Sequence, residues 1–121
     1  MATVELTVQD VVRTGLEATY SSADGTSGNV FENDGKTFVH IINGSGGSIT
    51  ATFDVVFTEL GLTVPDLDVA VPAGEDRFIG PFPAAVYNQE DTENSIDEAV
   101  LVTFSAVTSV TIAALRLTPV P

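Results

Sequence analysis

Ser48-Ile49-Thr50-Ala51-Thr52-Phe53-Asp54-Val55-Val56-Phe57 alternates apolar and polar side chains almost without a break. Successive residues of an extended chain point to opposite faces. Ile49, Ala51, Phe53, Val55 and Phe57 therefore share one face, and Ser48, Thr50, Thr52 and Asp54 share the other. A segment with one face for a core and one for water is a half-buried antiparallel strand.

The same period recurs on both sides of this stretch. Upstream, Val4, Leu6 and Val8 alternate with Thr3, Glu5 and Thr7. Asp10 is placed to cap a short helical turn through Val11, Val12 and Arg13 that ends at Gly15, with continued extended chain as the other reading. Ser21 to Gly28 is too polar and Gly-rich to be other than a loop. Val30 and Phe31 lead to Asn33-Asp34-Gly35, residues that tolerate the positive φ of a tight reversal. In the strand from Lys36 to Ile42, both faces carry residues suited to cover. Asn43 to Gly47 reverses the chain into the opening stretch.

Downstream, Leu67, Val69 and Val71 form a strand after Pro65, and Glu75 to Ile79 forms another after the Pro72-Ala73-Gly74 turn. Pro81 and Pro83 lack an N–H and interrupt any ladder there. Asn88 to Asp97 reads as an acidic loop. Val100, Val102 and Phe104 follow in one strand, and Val110, Ile112 and Ala114 open a last strand that closes at Leu117. About seven to nine short strands with polar turns and at most one helical turn predict an all-β fold, an antiparallel β-sandwich with jelly-roll-like order. No internal repeat and no linker divide the chain, so residues 1–121 are expected to be a single domain.

Composition narrows function. The net charge is -13, from 17 acidic and four basic residues. Arg13, Lys36, Arg77 and Arg116 are scattered, whereas neutralising phosphates needs clustered cations, so nucleic acid is not an expected partner. Two readings of the acidity stand side by side. One is a domain kept dispersed by its charge. The other is adaptation to concentrated salt, where the Debye length falls to ~3 Å near 1 M. There is no cysteine, so disulfides and thiolate metal sites are absent. No apolar run approaches the ~18 residues that span a bilayer, so no membrane is expected. No signal-peptide pattern opens the chain, and the mature protein is expected to start at Met1 or Ala2.

Catalytic chemistry has little to work with. His40 sits mid-strand without a second histidine and reads as a packed strand residue. Glu90, Asp91, Glu93, Asp97 and Glu98 could attract a hard cation. An EF-hand loop begun at Asp91 nevertheless has Ile96 where Gly belongs and Val102 where the bidentate Glu belongs, so a solvated loop is expected. No metal, cofactor or catalytic residue is expected. Asp66 and Asp68 read as a solvated strand edge. Asn43-Gly44-Ser45 matches a glycosylation sequon, but the turn explains Gly44 better.

Arg77, Phe78, Ile79, Pro81, Phe82, Pro83 and Tyr87 stand out as the expected contact set. Alternation cannot bury Phe78 and Ile79 on one face, and the prolines around Phe82 lower the entropy lost on ordering it against a partner. Aromatics and arginine often carry interface energy. The other reading plugs Phe82 and Tyr87 into one end of the sandwich.

Several blocks converge on a known group. They are Arg13-Thr14-Gly15-Leu16, Asn33-Asp34-Gly35-Lys36-Thr37-Phe38, Val71-Pro72-Ala73-Gly74, Arg77-Phe78-Ile79-Gly80-Pro81-Phe82-Pro83, Val86-Tyr87-Asn88, Ser105-Ala106-Val107-Thr108 and Ala113-Ala114-Leu115-Arg116-Leu117. Together they resemble a family of small virion proteins of tailed bacterial and archaeal viruses, encoded near capsid genes. The likeness runs over nearly the whole chain, with Arg77 to Pro83 its most specific block. The enlarged acidic loop and the scarcity of lysine depart from it, and both suit a virus of a salt-loving host.

The resemblance implies a capsid decoration protein on the outer capsid surface. Its implied partners are the major capsid protein and further copies of itself, as a trimer. A vertex turret or head-to-tail component and a carbohydrate-binding attachment module are the alternatives. The Val4 to Val8 strand and the Thr118 to Pro121 tail are expected candidates for exchange between subunits.

Overall fold

The computed structural model describes residues 3–56 and 58–117. Phe57, the first two residues and the expected exchange arm at Thr118 to Pro121 lie outside the described residues. In chain order the first strands are β1 (Val4–Leu6), β2 (Val8–Val11), β3 (Ser21–Ser22), β4 (Asn29–Glu32), β5 (Thr37–Asn43) and β6 (Ile49–Phe53). Then come β7 (Thr58–Glu59), β8 (Leu62–Thr63), β9 (Leu67–Val71) and β10 (Asp76–Ile79). One helical turn, α1 (Ala84–Tyr87), precedes β11 (Gln89–Asp91), β12 (Ile96–Phe104) and β13 (Val110–Leu117).

The strands form a sandwich. One sheet has the order β1-β4-β12-β6-β9, with β11 also on β12; the other has β10-β5-β13-β2, with β3 also on β13. The inner faces meet in a core containing Phe31, Ile49, Ala51, Phe53, Val71, Val100 and Val102 from the first sheet. Val39, Ile41, Ile79, Val110, Ile112 and Ala114 oppose them from the second. The opening stretch behaves as its period requires, with Ile49, Ala51 and Phe53 buried and Thr50 and Thr52 half-buried. It stops as a strand at Phe53, before the expected end at Phe57. The reason is local, because the Val55 N–H donates to Asp66 Oδ1 at 2.9 Å instead of to a ladder carbonyl.

Three other segments differ from expectation. The first strand divides at Thr7, so that β1 pairs with β4 and β2 pairs with β13, both in parallel. These two ladders make the sandwich mixed rather than wholly antiparallel. Neither pair is joined by a hairpin, so nothing local forces an antiparallel partner. Arg116 stands opposite Asp10 in the second parallel ladder and donates to it at 2.9 Å. Strand β2 takes Asp10 and Val11, the expected cap and first residue of the helical turn, and Val12 and Arg13 instead enter a turn closed by Gly15 N–H on Val12 O. The acidic segment is a hairpin, with β11 paired to β12 and Ser95 in the left-handed region at φ 58°.

Phe82 closes one end of the core. It is 1% exposed, with ring centroids 4.8 Å from Phe53, 5.7 Å from Phe31 and 5.3 Å from Tyr87. Gly80 makes its approach possible. At φ 120° a side chain there would be strained, and a Cβ would stand 3.0 Å from Phe38 Cβ and 3.1 Å from Phe82 Cε2. Asn33, itself buried, donates to the Phe82 carbonyl at 3.0 Å and to Asn88 Oδ1 at 2.7 Å.

Phe82→Ala should therefore cost about 3–5 kcal/mol. Phe78→Ala, at a position 65% exposed, should change stability far less. Paired urea titrations measure both, and equal losses would remove Phe82 from its place as the end plug.

Candidate functional site

The expected contact set separates on folding. Ile79 and Phe82 are core residues, so neither is a surface contact; the period of two turns Ile79 inward, and the Phe31–Phe53–Tyr87 nest holds Phe82. Tyr87 is half-buried against Phe82. Pro81 and Pro83 are exposed. Arg77 folds back on its own strand, with its guanidinium 3.1 Å from Glu75 and 2.7 Å from the Asp76 carbonyl. Phe78 alone of the aromatics in this set is largely exposed.

Beneath Phe78 is an arrangement that the sequence did not announce. The register of β10 on β5 sets Phe78 opposite His40, and β13 sets the small side chain of Ala113 on the other side. Phe78 stacks on the imidazole with centroids 3.9 Å apart and planes 7° from parallel. His40 Nε2 is 2.5 Å from Asp76 Oδ2, and His40 Nδ1 is 2.6 Å from the Tyr20 hydroxyl. Because a carboxylate accepts, the neutral imidazole that fits both contacts has its proton on Nε2 and accepts from Tyr20 at Nδ1.

A hydroxyl, an imidazole and a carboxylate in line have the form of an activated nucleophile and its base. The adjacent cleft of about 300 Å³, however, is lined by Thr19 and Ser21 rather than Tyr20. The contacts here fasten chain to sheet. Tyr20 ends the irregular segment after β2, and the Gln9 side-chain amide holds the Thr19 N–H and carbonyl at 2.8 Å each.

The acidic hairpin has an equally structural task. Thr3 Oγ1 donates to Asp91 Oδ2 at 2.7 Å, the Thr3 N–H donates to Glu93 Oε2 at 3.1 Å, and Asn94 bridges Thr3 and Asp91. The expected solvated loop is thus partly a clasp on the start of β1. Slight burial works against the Asp91 charge, but hydrogen bonds from Asn94, Thr3 and the backbone N–H groups of Glu93 and Asn94 outweigh it. Its pKa is lowered.

Two other residues named from the sequence find local partners. Asn43 is fully buried, donating to the Gly47 and Val71 carbonyls and accepting from Ser45, so the sequon is closed to a glycan. Asp68 accepts from Thr52 Oγ1 at 2.8 Å. Among the described residues no group of three or more His, Asp and Glu side chains is arranged to hold a metal ion. No described helix is long and apolar enough to cross a membrane.

A second exposed apolar feature was missed altogether. Strands β7 and β8 pair only with each other, in a hairpin that leads from β6 to β9. At its turn, Leu60 is 92% exposed and Leu62 is 72% exposed, with Val56 and Leu67 less exposed nearby in the chain. Leu-Gly is not a usual turn dipeptide, which is why no turn signal marks this hairpin in the sequence.

Comparison with known protein families, with curated proteins and with solved structures finds no match.

Two measurements test these assignments. A carboxylate with a depressed folded pKa stabilises above its unfolded value of about 3.9 and loses that contribution as pH falls through the folded value. Asp91→Ala should therefore be less stable than the parent at pH 6, and the gap should narrow steadily as denaturation is repeated at lower pH. A gap independent of pH would mean that the Asp91 charge does not hold the clasp. Tyr20→Phe should cost about 1–3 kcal/mol by leaving His40 Nδ1 without its donor. It should also speed hydrogen exchange near Thr19, and unchanged exchange would show that the hydroxyl does not fasten this segment.

Proposed function

We propose that this chain is a non-enzymatic structural protein of a tailed virus, a decoration or cement protein on the outer surface of the capsid. The observation that carries the reading is the location of its most exposed apolar side chains. Strands β9 and β10 are consecutive and form the free edges of the two sheets on one flank. Phe78 lies on β10, while Leu60, Leu62 and Leu67 lie on β9 or on the hairpin that enters it. Val4, Val12, Leu16 and Leu117 are exposed on or near β1, β2 and the end of β13, but Leu60, Leu62 and Phe78 are the most exposed large apolar side chains among the described residues; with a net charge of -13 over the chain, their flank is the one suited to docking.

The resemblance to small virion proteins points the same way. Packaged DNA would repel this charge, which favours the outside of the shell. The partners in this reading are the major capsid protein and further copies of the chain, assembled as a trimer. Linked subunits turn weak single contacts into firm attachment through effective concentration, and contacts across capsomers must break before the shell expands. Arg77, Phe78, Pro81 and Pro83 are the remaining surface candidates for capsid or subunit contact. Salt adaptation is part of the proposal, since screening relieves crowding among the acidic copies.

Two alternatives have their own signatures. A vertex turret or head-to-tail component uses the same flank but assembles as a pentamer or another ring. The exposed, stacked Phe78 ring favours a carbohydrate-binding attachment module, because sugars stack on such faces.

The experiment is to mix purified protein with heads that lack it, in high salt, and to read mass and symmetry from one sample. Saturable binding to the outer shell, with raised resistance to rupture, is the expected result. Absence of binding to intact heads would overturn the cement reading, and a ring at one vertex would select the alternative position.

A further inference from the structure

The β7–β8 hairpin combines two costs at one point. Leu60 and Gly61 have φ values of 52° and 79°, the positive pair that a two-residue I′ turn demands. Asparagine suits the first of these positions, whereas leucine is penalised in the left-handed region. The same leucine is 92% exposed, with Leu62 at 72%. Backbone strain and apolar exposure coincide where neither helps this chain to fold, and such coincidences point to function.

We propose that this hairpin is an anchor that inserts into an apolar groove with a basic rim on another protein. This rests on the virion reading and places that groove on the capsid shell. Charge identifies the occupant. Exposed Glu59 flanks the turn, and exposed Asp66 and Asp68 lie beyond its base, so the apolar tip has an acidic collar. A second copy of the chain has little to offer such a collar. Of its four basic residues, Arg77 pairs with Glu75 and Arg116 with Asp10 and Asp34, which leaves only the exposed Arg13 and Lys36, on separate turns, to meet three carboxylates. A rim of Lys and Arg around an apolar slot complements the hairpin in both shape and charge.

Leu60→Asn separates folding from binding. It replaces a poor turn residue by a favoured one, so thermal stability should hold or rise. Binding to heads lacking the protein should weaken about tenfold or more, because a buried leucine side chain is lost from the contact. Glu59→Lys should weaken binding at low salt, with the deficit shrinking as salt rises.

Leu60→Asn binding as tightly as the parent would overturn the anchor while leaving capsid attachment intact. Stronger binding by Glu59→Lys would overturn the basic rim. A parent oligomer that Leu60→Asn dissociates in sedimentation would place a second copy on the hairpin and overturn the proposal. Failure of the parent protein to bind heads would overturn the virion reading, and the anchor with it.

Discussion

Burial of Phe82 between the two sheets is the constraint on which the rest of this structure depends. Its ring fills the space among Phe31, Phe53 and Tyr87, and the chain must leave β10 at a sharp angle to deliver it. Gly80 allows the angle, and Asn33 donates to the Phe82 carbonyl so that this oxygen is not orphaned beside the core. Parity does the remainder. With Ile79 inward as the last residue of β10, Phe78 must point out, where it covers His40. One buried aromatic thereby determines which of its neighbours can meet a partner.

Buried asparagines perform at the other strand ends what Asn33 performs here. Asn43 joins the end of β5 to Val71 at the end of β9, and Asn29 accepts from the Asp24 N–H at the entry to β4. Each offers an amide whose donors and acceptor satisfy loop backbone groups that no ladder reaches. Apolar packing joins the sheets at their middles, and these amides fix their ends. Among the described residues the loops are thus closed by buried amides, in a chain without cysteine.

The legible parts of the sequence were those governed by a local period. Ile49, Ala51 and Phe53 announced both their strand and its buried face, and the opposed directions of Phe78 and Ile79 followed from parity alone. Phe82 could not be assigned between surface and core, because prolines around it erase the period and only the distant Phe31 and Phe53 decide. Tyr20, His40 and Asp76 meet across 20 and 36 residues of chain, so no spacing rule could join them. The acidic segment misled for a related reason. Its composition suggested solvent, while its hydrogen bonds reach Thr3 some 90 residues away. The Leu60 hairpin was hidden because its turn residue is one that folding alone would not select.

Folding and the proposed attachment draw on different residues of this domain. Residues fixed by the core, such as Phe82, tolerate little change, because a buried ring supplies a large part of a small domain's marginal stability. Leu60 and Leu62 contribute almost nothing there, so they are free to match whatever surface they meet. A negative charge distributed over the remainder then suppresses association that lacks a complementary basic partner. Specificity in the proposed attachment would come from the contrast between a few exposed apolar side chains and the acidic surface around them. It weakens if either is lost: neutralising the collar would make the tip adhesive to any apolar surface, and removing the leucines would leave only a repulsive shell.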